Sequence, residues 1–278
     1  MEENRIFLSD QQIKNELKKM LKEFDEWASS SNMKYSIIAG TLLGAVRHGG
    51  FIPWDDDIDI CMDRYSYNKF INILKKHGGK LTNNLGACGF ELGNSDMPYV
   101  KIINKNIKCY EQPYPDDDKI LIKSNLWIDV FPIDGIPNKC SKLYNKIRSI
   151  VLILYYNKRQ MYYGWHQKKF NEKNLKSKIK YIIYMMLPYK AVIKMLINIS
   201  KFFDIKKCKY VSNNVWGEGL YEAFPKTVIE NYIDFEFEDI SVKGFKEGKQ
   251  WLSSRYGDYM TLPPENQRNS HGIKAWIE

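Results

Sequence analysis

The stretch GTLLGAVRHGGFIPWDDDID, residues 40–59, decides how this chain folds and where its chemistry lies. An apolar strand pattern over residues 35–39 precedes it, and the Gly40-Thr41 step then opens a short helix. Glycine leaves the backbone N–H groups at the start of that helix accessible, and such groups readily receive phosphate oxygens. The first half of the stretch therefore predicts a phosphate-binding turn.

Four aspartates follow shortly after the helix. In an extended segment side chains alternate between two faces, so we expect Asp55, Asp57 and Asp59 to point one way and Asp56 the other. Neighbouring carboxylates repel one another and stay ionised together only around a cation, for which a hard ion such as Mg²⁺ or Mn²⁺ is the natural choice. A solvated loop is the alternative, but it has no need of the apolar residues that alternate with these carboxylates. The run indicates a metal site for phosphoryl or nucleotidyl transfer.

The order of these motifs resembles the signature of the nucleotidyltransferase-fold superfamily, in which Gly-Thr precedes Asp-x-Asp. The whole stretch closely resembles the LicD family of phosphocholine transferases, whose relatives include the fukutin-type phosphotransferases. WIDVFPIDG at 127–135 is similar to the family's second acidic strand, and YGDYMTLPP at 256–264 is similar to its C-terminal signature. The resemblance touches residues near 35–65, 98–135 and 250–272.

Helical and strand patterns alternate along the first half of the chain, which is typical of an α/β core. Together with the resemblance, this alternation predicts an α/β (α+β) protein with a nucleotidyltransferase-like mixed sheet flanked by helices. We expect three parts. They are a catalytic core at 1–138, a basic, aromatic-rich helical insert at 139–210, and a C-terminal segment at 211–278 that returns to the active site.

The insert is set apart by its charge. The 278-residue chain has a net charge of +9, and residues 139–210 hold 18 Lys and Arg residues against two acidic ones, which leaves −7 for the remainder. Its apolar runs are shorter than the roughly 20 residues that span a bilayer. The pattern therefore favours docking on an anionic membrane surface. Nucleic-acid binding and a helical cap over the active site are the alternatives, but no recognised nucleic-acid motif accompanies the charge and no nucleic-acid partner is expected.

The sequence also indicates a location. Five scattered cysteines without a Cys-x-x-Cys pair, and an N-terminus without the pattern of a signal peptide, are typical of a reducing compartment. We therefore expect a cytoplasmic protein that is peripheral on the inner face of the cell membrane. The lysines expected to meet the lipid headgroups are Lys178, Lys180, Lys190, Lys194 and Lys201.

The aspartates are the candidate catalytic and metal-binding residues. Asp57 and Asp59 match the family's Asp-x-Asp pair and are predicted to bind the metal. Asp129 lies in an apolar strand pattern, where an unpartnered carboxylate would be costly, so we expect it to be a third ligand or the base that takes a proton from the acceptor hydroxyl. A capping or turn role is its alternative. Asp55 would bind a second ion or a ligand water, and Asp134, before a glycine, is interpreted as part of a turn.

A further group of residues is predicted to bind the substrate. Arg47 suits bidentate contact with phosphate, whereas His48 could instead cap the C-terminal end of its helix. A solvated position is the alternative for Lys101, Arg268 and His271. The last two lie in the tail, which matches the family's C-terminal signature. The predicted set is Gly40, Thr41, Arg47, His48, Lys101, Arg268 and His271.

The resemblance implies a metal-dependent phosphotransferase. Such an enzyme would move phosphocholine, or a similar phospho-alcohol, from a CDP-choline-like donor to a sugar hydroxyl of a cell-surface glycan such as teichoic acid or lipopolysaccharide, and CMP would leave. The acceptor is expected to be lipid-linked. One alternative is a nucleotidyltransferase that attacks the α-phosphate of a nucleoside triphosphate. The other is a non-catalytic module that binds membranes or nucleic acid.

Overall fold

The structure is a computed structural model that describes residues 5–111, 121–163, 186–268 and 270–278. The helices of this part of the chain are α1 (Asp10–Ser30), α2 (Ala39–His48), α3 (Arg64–Lys76), α4 (Ser141–Tyr162), α5 (Tyr189–Ser200) and α6 (Gly248–Tyr256). Its strands are β1 (Ser36–Ile37), β2 (Asp59–Asp63), β3 (Leu85–Cys88), β4 (Val100–Glu111), β5 (Ile122–Ile136), β6 (Tyr210–Ser212), β7 (Phe224–Pro225), β8 (Tyr232–Phe237), β9 (Ile240–Phe245) and β10 (Lys274–Ile277).

The strands form a mixed sheet in the order β10-β4-β5-β2-β1-β9-β8. Strand β2 runs parallel to β5 and β1 parallel to β9, whereas the other neighbours in this order are antiparallel. Strand β3 pairs with β4, and β6 joins β5 to β7. The predicted α/β (α+β) class with a mixed sheet is confirmed, and strands from both ends of the chain contribute to it.

Helix α1 begins at a capping box. Ser9 is its N-cap, and the Ser9 hydroxyl and the Gln12 side chain each bond the other residue's backbone N–H, which satisfies two donors that a helix start leaves free. The apolar side chains recur with the 3.6-residue period of a helix, so they lie on one face of α1. This face is buried in the core. Its side chains are Ile13, Leu17, Met20, Leu21, Phe24 and Ala28.

The described part of the insert is helical, as predicted. Helices α4 and α5 pack together, and the Tyr144 hydroxyl donates to the carbonyl of Ile199 at 3.0 Å. Residues 164–185, which include Lys178 and Lys180 of the predicted membrane set, lie outside the described residues. Within the described residues, no helix is both long enough and apolar enough to cross a membrane.

Asp134 corrects one expectation from the sequence. It lies within β5 rather than in a turn, is 1% exposed, and accepts two hydrogen bonds from the Arg64 guanidinium at 2.6 and 2.7 Å. Burial raises the pKa of Asp134 even though Arg64 opposes this, so the pair is held at a desolvation cost. Asp134 can be buried among the apolar residues of β5 because Arg64, the first residue of α3, supplies the opposite charge.

This ion pair yields a prediction about stability. Arg64→Met leaves the Asp134 carboxylate buried and unpaired, and is expected to lower the free energy of unfolding by about 3–5 kcal/mol in chemical denaturation. The double variant Arg64→Met/Asp134→Leu should recover most of this loss, since it removes the second charge as well. If Arg64→Met were no less stable than the control variant Lys76→Met, which changes an exposed residue, the Arg64–Asp134 ion pair would not contribute to stability as proposed.

Candidate active site

The aspartates that follow α2 border a large cavity. Asp57, Asp59 and Asp129 line it, and its volume is about 1380 Å³. Side chains alternate as the sequence predicts: Asp55, Asp57 and Asp59 keep partial exposure, whereas the residues between them are buried. The pleat of the chain therefore presents a row of carboxylates to one space.

The sheet brings a carboxylate from a distant part of the chain to the same place. Strands β2 and β5 are parallel neighbours, and Asp59 is in register with Asp129. On the other side of β5, Lys101 of β4 is in register with Asp129. Three charged side chains thus lie in one row across three adjacent strands, with the aspartates side by side.

Removal from water and mutual repulsion shift the pKa values of this group. Burial, followed by the charges of Asp55 and others, raises the pKa of Asp57 to about 8, and burial raises that of Asp129 to about 6. The pKa of Asp59 also rises well above its usual value, again through burial and then through Asp57 and Asp129. Carboxyl groups with such pKa values favour a compensating cation.

The buried atoms of the group fit a metal ion. Oδ1 of Asp129 is buried and has no hydrogen-bond partner within the described protein, which is costly for a carboxylate oxygen. Ligand atoms of Asp55, Asp57 and His271 lie within 4.8 Å of one another. Carboxylate oxygens such as those of Asp55 and Asp57 suit Mg²⁺ or Mn²⁺. Metal binding by Asp55, Asp57, Asp59 and Asp129 nevertheless stays a prediction.

Gly40 and Thr41 shape the aspartate loop directly. A Cβ on Gly40 would lie 2.5 Å from Oδ2 of Asp55, so only glycine allows this carboxylate to approach α2 so closely. The Thr41 hydroxyl accepts the backbone N–H of Asp59 at 2.8 Å. The Gly-Thr step therefore fixes both ends of the aspartate run, a role that the sequence did not reveal.

The start of α2 remains available to an anion. Ile38 precedes the helix without forming a side-chain cap, and Ile38 and Ala39 both line the cavity. The first N–H groups of a helix carry partial positive charge and bind phosphate when no cap occupies them. Contact between phosphate and this turn stays a prediction.

The C-terminal tail reaches the aspartates through Asp56. This carboxylate accepts the Ser270 hydroxyl and the backbone N–H groups of His271 and Ile273, at 2.9 to 3.1 Å. Burial opposes ionisation, but these bonds and the His271 ring lower the pKa of Asp56 to about 2. His271 Nδ1 lies 3.2 Å from Asp56 and 3.6 Å from Asp57, and its hydrogen bond to Asp56 raises its pKa to about 9.

Lys101 is buried, so the solvated alternative for it is wrong. Its ammonium lies 3.2 Å from the Glu111 carboxylate and 3.8 Å from the centre of the Trp127 ring. Arg159 of α4 lies 3.7 Å from both Glu111 and Asp96. These charged side chains connect strand β4 to the helical insert. Burial lowers the pKa of Lys101, but the charges of Asp129 and Glu111 outweigh it and raise that pKa.

The remaining predicted residues gather elsewhere. Arg47 donates to the carbonyl of Tyr259 at 2.8 Å, and the Arg268 guanidinium lies 5.0 Å from the centre of the Trp54 ring. The ring of His48, the last residue of α2, lies nearly perpendicular to the Trp54 ring in an edge-to-face arrangement. Arg47, His48 and Arg268 are not among the residues that line the aspartate cavity. Their predicted contact with the substrate stays a prediction.

Several residues at the site were not predicted from the sequence. Glu111 lies ten residues after Lys101 on β4, and a strand count alone would not have paired them because the strand has an irregularity between Ile103 and Lys108. Arg159 belongs to the insert, where no motif points to it. Asp56 was expected only to face away from its neighbours, and its link to the tail required the folded chain.

Comparison with known proteins identifies a family domain in the first half of the chain. Residues 32–132 match the family model described as LicD/FKTN/FKRP, nucleotidyltransferase domain. The chain therefore carries a LicD-family nucleotidyltransferase domain, as its motifs predicted.

One relative matches most of the chain, and two others match shorter parts of it. The chain is similar to the lipopolysaccharide cholinephosphotransferase LicD of Haemophilus influenzae, with 29% identity over 252 residues that cover 87% of this chain and 88% of that protein. Shorter matches are to an uncharacterized protein of Rickettsia typhi, 36% identical over 28% of this chain and 29% of that one, and to one of Rickettsia prowazekii, 45% identical over 20% and 24%.

Proposed function

We propose that this protein is a transferase that moves phosphocholine, or a similar phospho-alcohol, from a CDP-activated donor to a sugar hydroxyl of a cell-surface glycan. Lipopolysaccharide is the acceptor that the name of the Haemophilus relative supports, and teichoic acid is the alternative acceptor. The observation that carries the proposal is the register of Asp59 with Asp129 on parallel strands, beside Asp57, in the wall of one large cavity.

The aspartates would hold the cofactor. Asp57, Asp59 and Asp129 are the proposed ligands of Mg²⁺ or Mn²⁺, and Asp55 is the proposed ligand of a second ion or a ligand water. When bound, such an ion would offset the negative charge of the donor's diphosphate. The unpartnered oxygen of Asp129 and the raised pKa values of the group support this assignment.

The chain's own residues would align the two substrates. The acceptor hydroxyl attacks the β-phosphorus of the donor, the bond to the oxygen shared with the α-phosphate breaks, and CMP leaves with that oxygen. Asp129 is the proposed third ligand of the ion or, in the alternative arrangement, the base that takes the proton of the hydroxyl, since its carboxyl group is recessed. Lys101, the N–H groups at the start of α2 and His271 would bind phosphate oxygens.

The released product distinguishes this function from its alternatives. With CDP-choline, Mg²⁺ and a glycan acceptor, we expect CMP and a phosphocholine-modified acceptor, measured by chromatography and mass spectrometry. Release of pyrophosphate from a nucleoside triphosphate would instead show a nucleotidyltransferase. The absence of turnover with every donor would indicate a binding module.

The insert is proposed to hold the enzyme at an anionic membrane on the cytoplasmic face. One face of α4 exposes Leu143, Ile147 and Ile150, which are between 45% and 59% exposed and follow a helical spacing. Lys142 and Lys146 are exposed beside these side chains on α4, and Lys190 and Lys194 of the predicted membrane set are exposed on α5. Lys201 of that set instead forms an ion pair with Glu91 at 2.9 Å. Apolar side chains between lysines suit the headgroup region of an anionic bilayer.

Sedimentation with liposomes tests the membrane proposal. Each lysine at an anionic surface contributes about 1 kcal/mol, so the quadruple Gln variant of Lys142, Lys146, Lys190 and Lys194 should lose most binding to anionic vesicles at low salt. The control removes four exposed lysines outside the insert, Lys75, Lys76, Lys246 and Lys249, and should bind normally. Equal losses in both variants, or a wild-type protein that ignores anionic vesicles, would refute membrane docking by the insert.

A further inference from the structure

A group of aromatic rings extends the cavity away from the aspartates. Tyr99, Phe131, Tyr156 and Trp216 all line the cavity, and we call them the aromatic wall. Their ring centres are 4.7 Å apart for Tyr99 and Phe131, 5.1 Å for Tyr99 and Trp216, and 5.3 Å for Tyr156 and Trp216. The wall therefore runs without a break from the central sheet to helix α4.

The wall begins beside the proposed metal ligands. Phe131 lies two residues after Asp129 on β5, so both side chains leave the same face of the sheet. Tyr99 lies two residues before Lys101, which is in register with Asp129. The Tyr99–Phe131 pair is consequently the next cross-strand step after the charged row, and a group bound there would be adjacent to a phosphate at the aspartates.

The angles between the rings determine what the wall can bind. The ring planes meet at 74° for Tyr99 and Trp216 and at 62° for Tyr156 and Trp216, so they form a corner. A flat nucleobase stacks best between parallel faces, whereas a compact, rounded cation can touch several faces that meet at steep angles. Trimethylammonium groups are bound by aromatic faces in this way because the rings present negative charge.

The cations around the cavity are already engaged. Arg148 donates to the carbonyls of Asn214 and Gly217 at 2.9 Å each, and Arg159 lies between Asp96 and Glu111. Among the described residues, no Lys or Arg lies over the rings of the wall. Arg255 also lines the cavity and pairs with Glu222 at 2.6 Å, whereas Glu218 is exposed at the cavity and adds negative potential.

We propose that the aromatic wall is the subsite for a quaternary ammonium group on the transferred phospho-alcohol. This inference rests on the proposed function, since it places the phosphate at the aspartates and the ammonium, one short alcohol chain away, at the corner of Tyr99, Tyr156 and Trp216. The wall would thereby select a methylated ammonium over a primary one, which is smaller and more strongly hydrated.

A comparison of two donors tests the subsite in the full-length protein. Trp216→Leu removes the central ring and should lower kcat/KM for CDP-choline roughly tenfold, but should change kcat/KM for CDP-ethanolamine much less. Trp216→Phe keeps a ring face and should retain most of the preference for choline. Phe202→Leu, which removes an exposed ring outside the cavity, should leave both values unchanged. Equal losses for both donors in Trp216→Leu would overturn the subsite.

Binding measurements separate this inference from the proposed function. Titration of tetramethylammonium, followed by NMR, should shift signals of the wild-type protein and of Trp216→Phe but not those of Trp216→Leu, with melting temperatures recorded for each. That result would support the subsite even if CDP-choline proved not to be a donor. If Trp216→Leu weakened binding of CMP and left tetramethylammonium binding unchanged, the wall would stack cytosine instead and the inference would be wrong.

Discussion

Asp57→Asn and Asp59→Asn are each expected to lower the rate of phosphocholine transfer by at least about 100-fold, the scale of losing one key electrostatic stabiliser. Asparagine keeps the shape of aspartate and removes the charge that the proposed cation needs. The two carboxylates line the same cavity, and burial, together with the charge of Asp57, raises the pKa of Asp59. Steady-state release of CMP, measured over a range of Mg²⁺ and Mn²⁺ concentrations, is the appropriate assay.

Two comparisons make this result specific. Asp10→Asn removes an exposed carboxylate in the first turn of α1 and should leave the rate unchanged. Calorimetry should also show that the donor binds weakly to the wild-type protein without a divalent ion. Near-normal turnover in either active-site variant, or turnover in the wild type that persists in excess EDTA, would contradict a metal site formed by these aspartates.

Asp129→Asn is expected to abolish transfer while the melting temperature stays nearly constant or rises. The Asp129 carboxylate lies beside Asp59, and its Oδ1 is buried without a hydrogen-bond partner among the described residues, so its charge costs stability in the isolated protein. Lys101 keeps Glu111 as a partner at 3.2 Å when the charge of Asp129 is removed. Differential scanning calorimetry and the CMP assay on the same preparation measure both consequences.

Asp134→Asn is the matched control, because it changes the same residue type five positions later on the same strand. Its carboxylate pairs with Arg64 and does not line the cavity, so this variant should lower the melting temperature and retain activity per folded molecule. If Asp129→Asn unfolds the protein while Asp134→Asn does not, then Asp129 has a structural role and its assignment as third carboxylate is wrong.

Local patterns predicted those parts of the fold that neighbouring residues determine. The alternation of Asp55, Asp57 and Asp59 with buried residues follows from the two-residue period of an extended chain, and the start of α1 follows from the capping box at Ser9. Asp134 was assigned to a turn because glycine follows it. The partner that makes a buried position possible, Arg64, is 70 residues away and leaves no local signal.

Contacts between distant segments account for what the sequence did not reveal at the site. The position of Lys101 in the row of charges depends on the pairing of β4 with β5. The position of His271 depends on the hydrogen bonds that Asp56 accepts from the C-terminal tail, for which the sequence holds no local pattern. The aromatic wall combines the residue before β4 with residues of β5, α4 and the segment after β6, so no single stretch of sequence contains it. A motif identifies the aspartates, but only the sheet brings their partners to them.

A crystal of the protein soaked with CDP-choline and Mg²⁺ tests the central claim most directly. We expect the crystal to show an ion in contact with Asp57, Asp59 and the donor's diphosphate. The choline group should lie at the corner of the aromatic wall. Donor density away from the aspartates, for example beside Arg47 and Arg268, with no ion between the carboxylates, would contradict it.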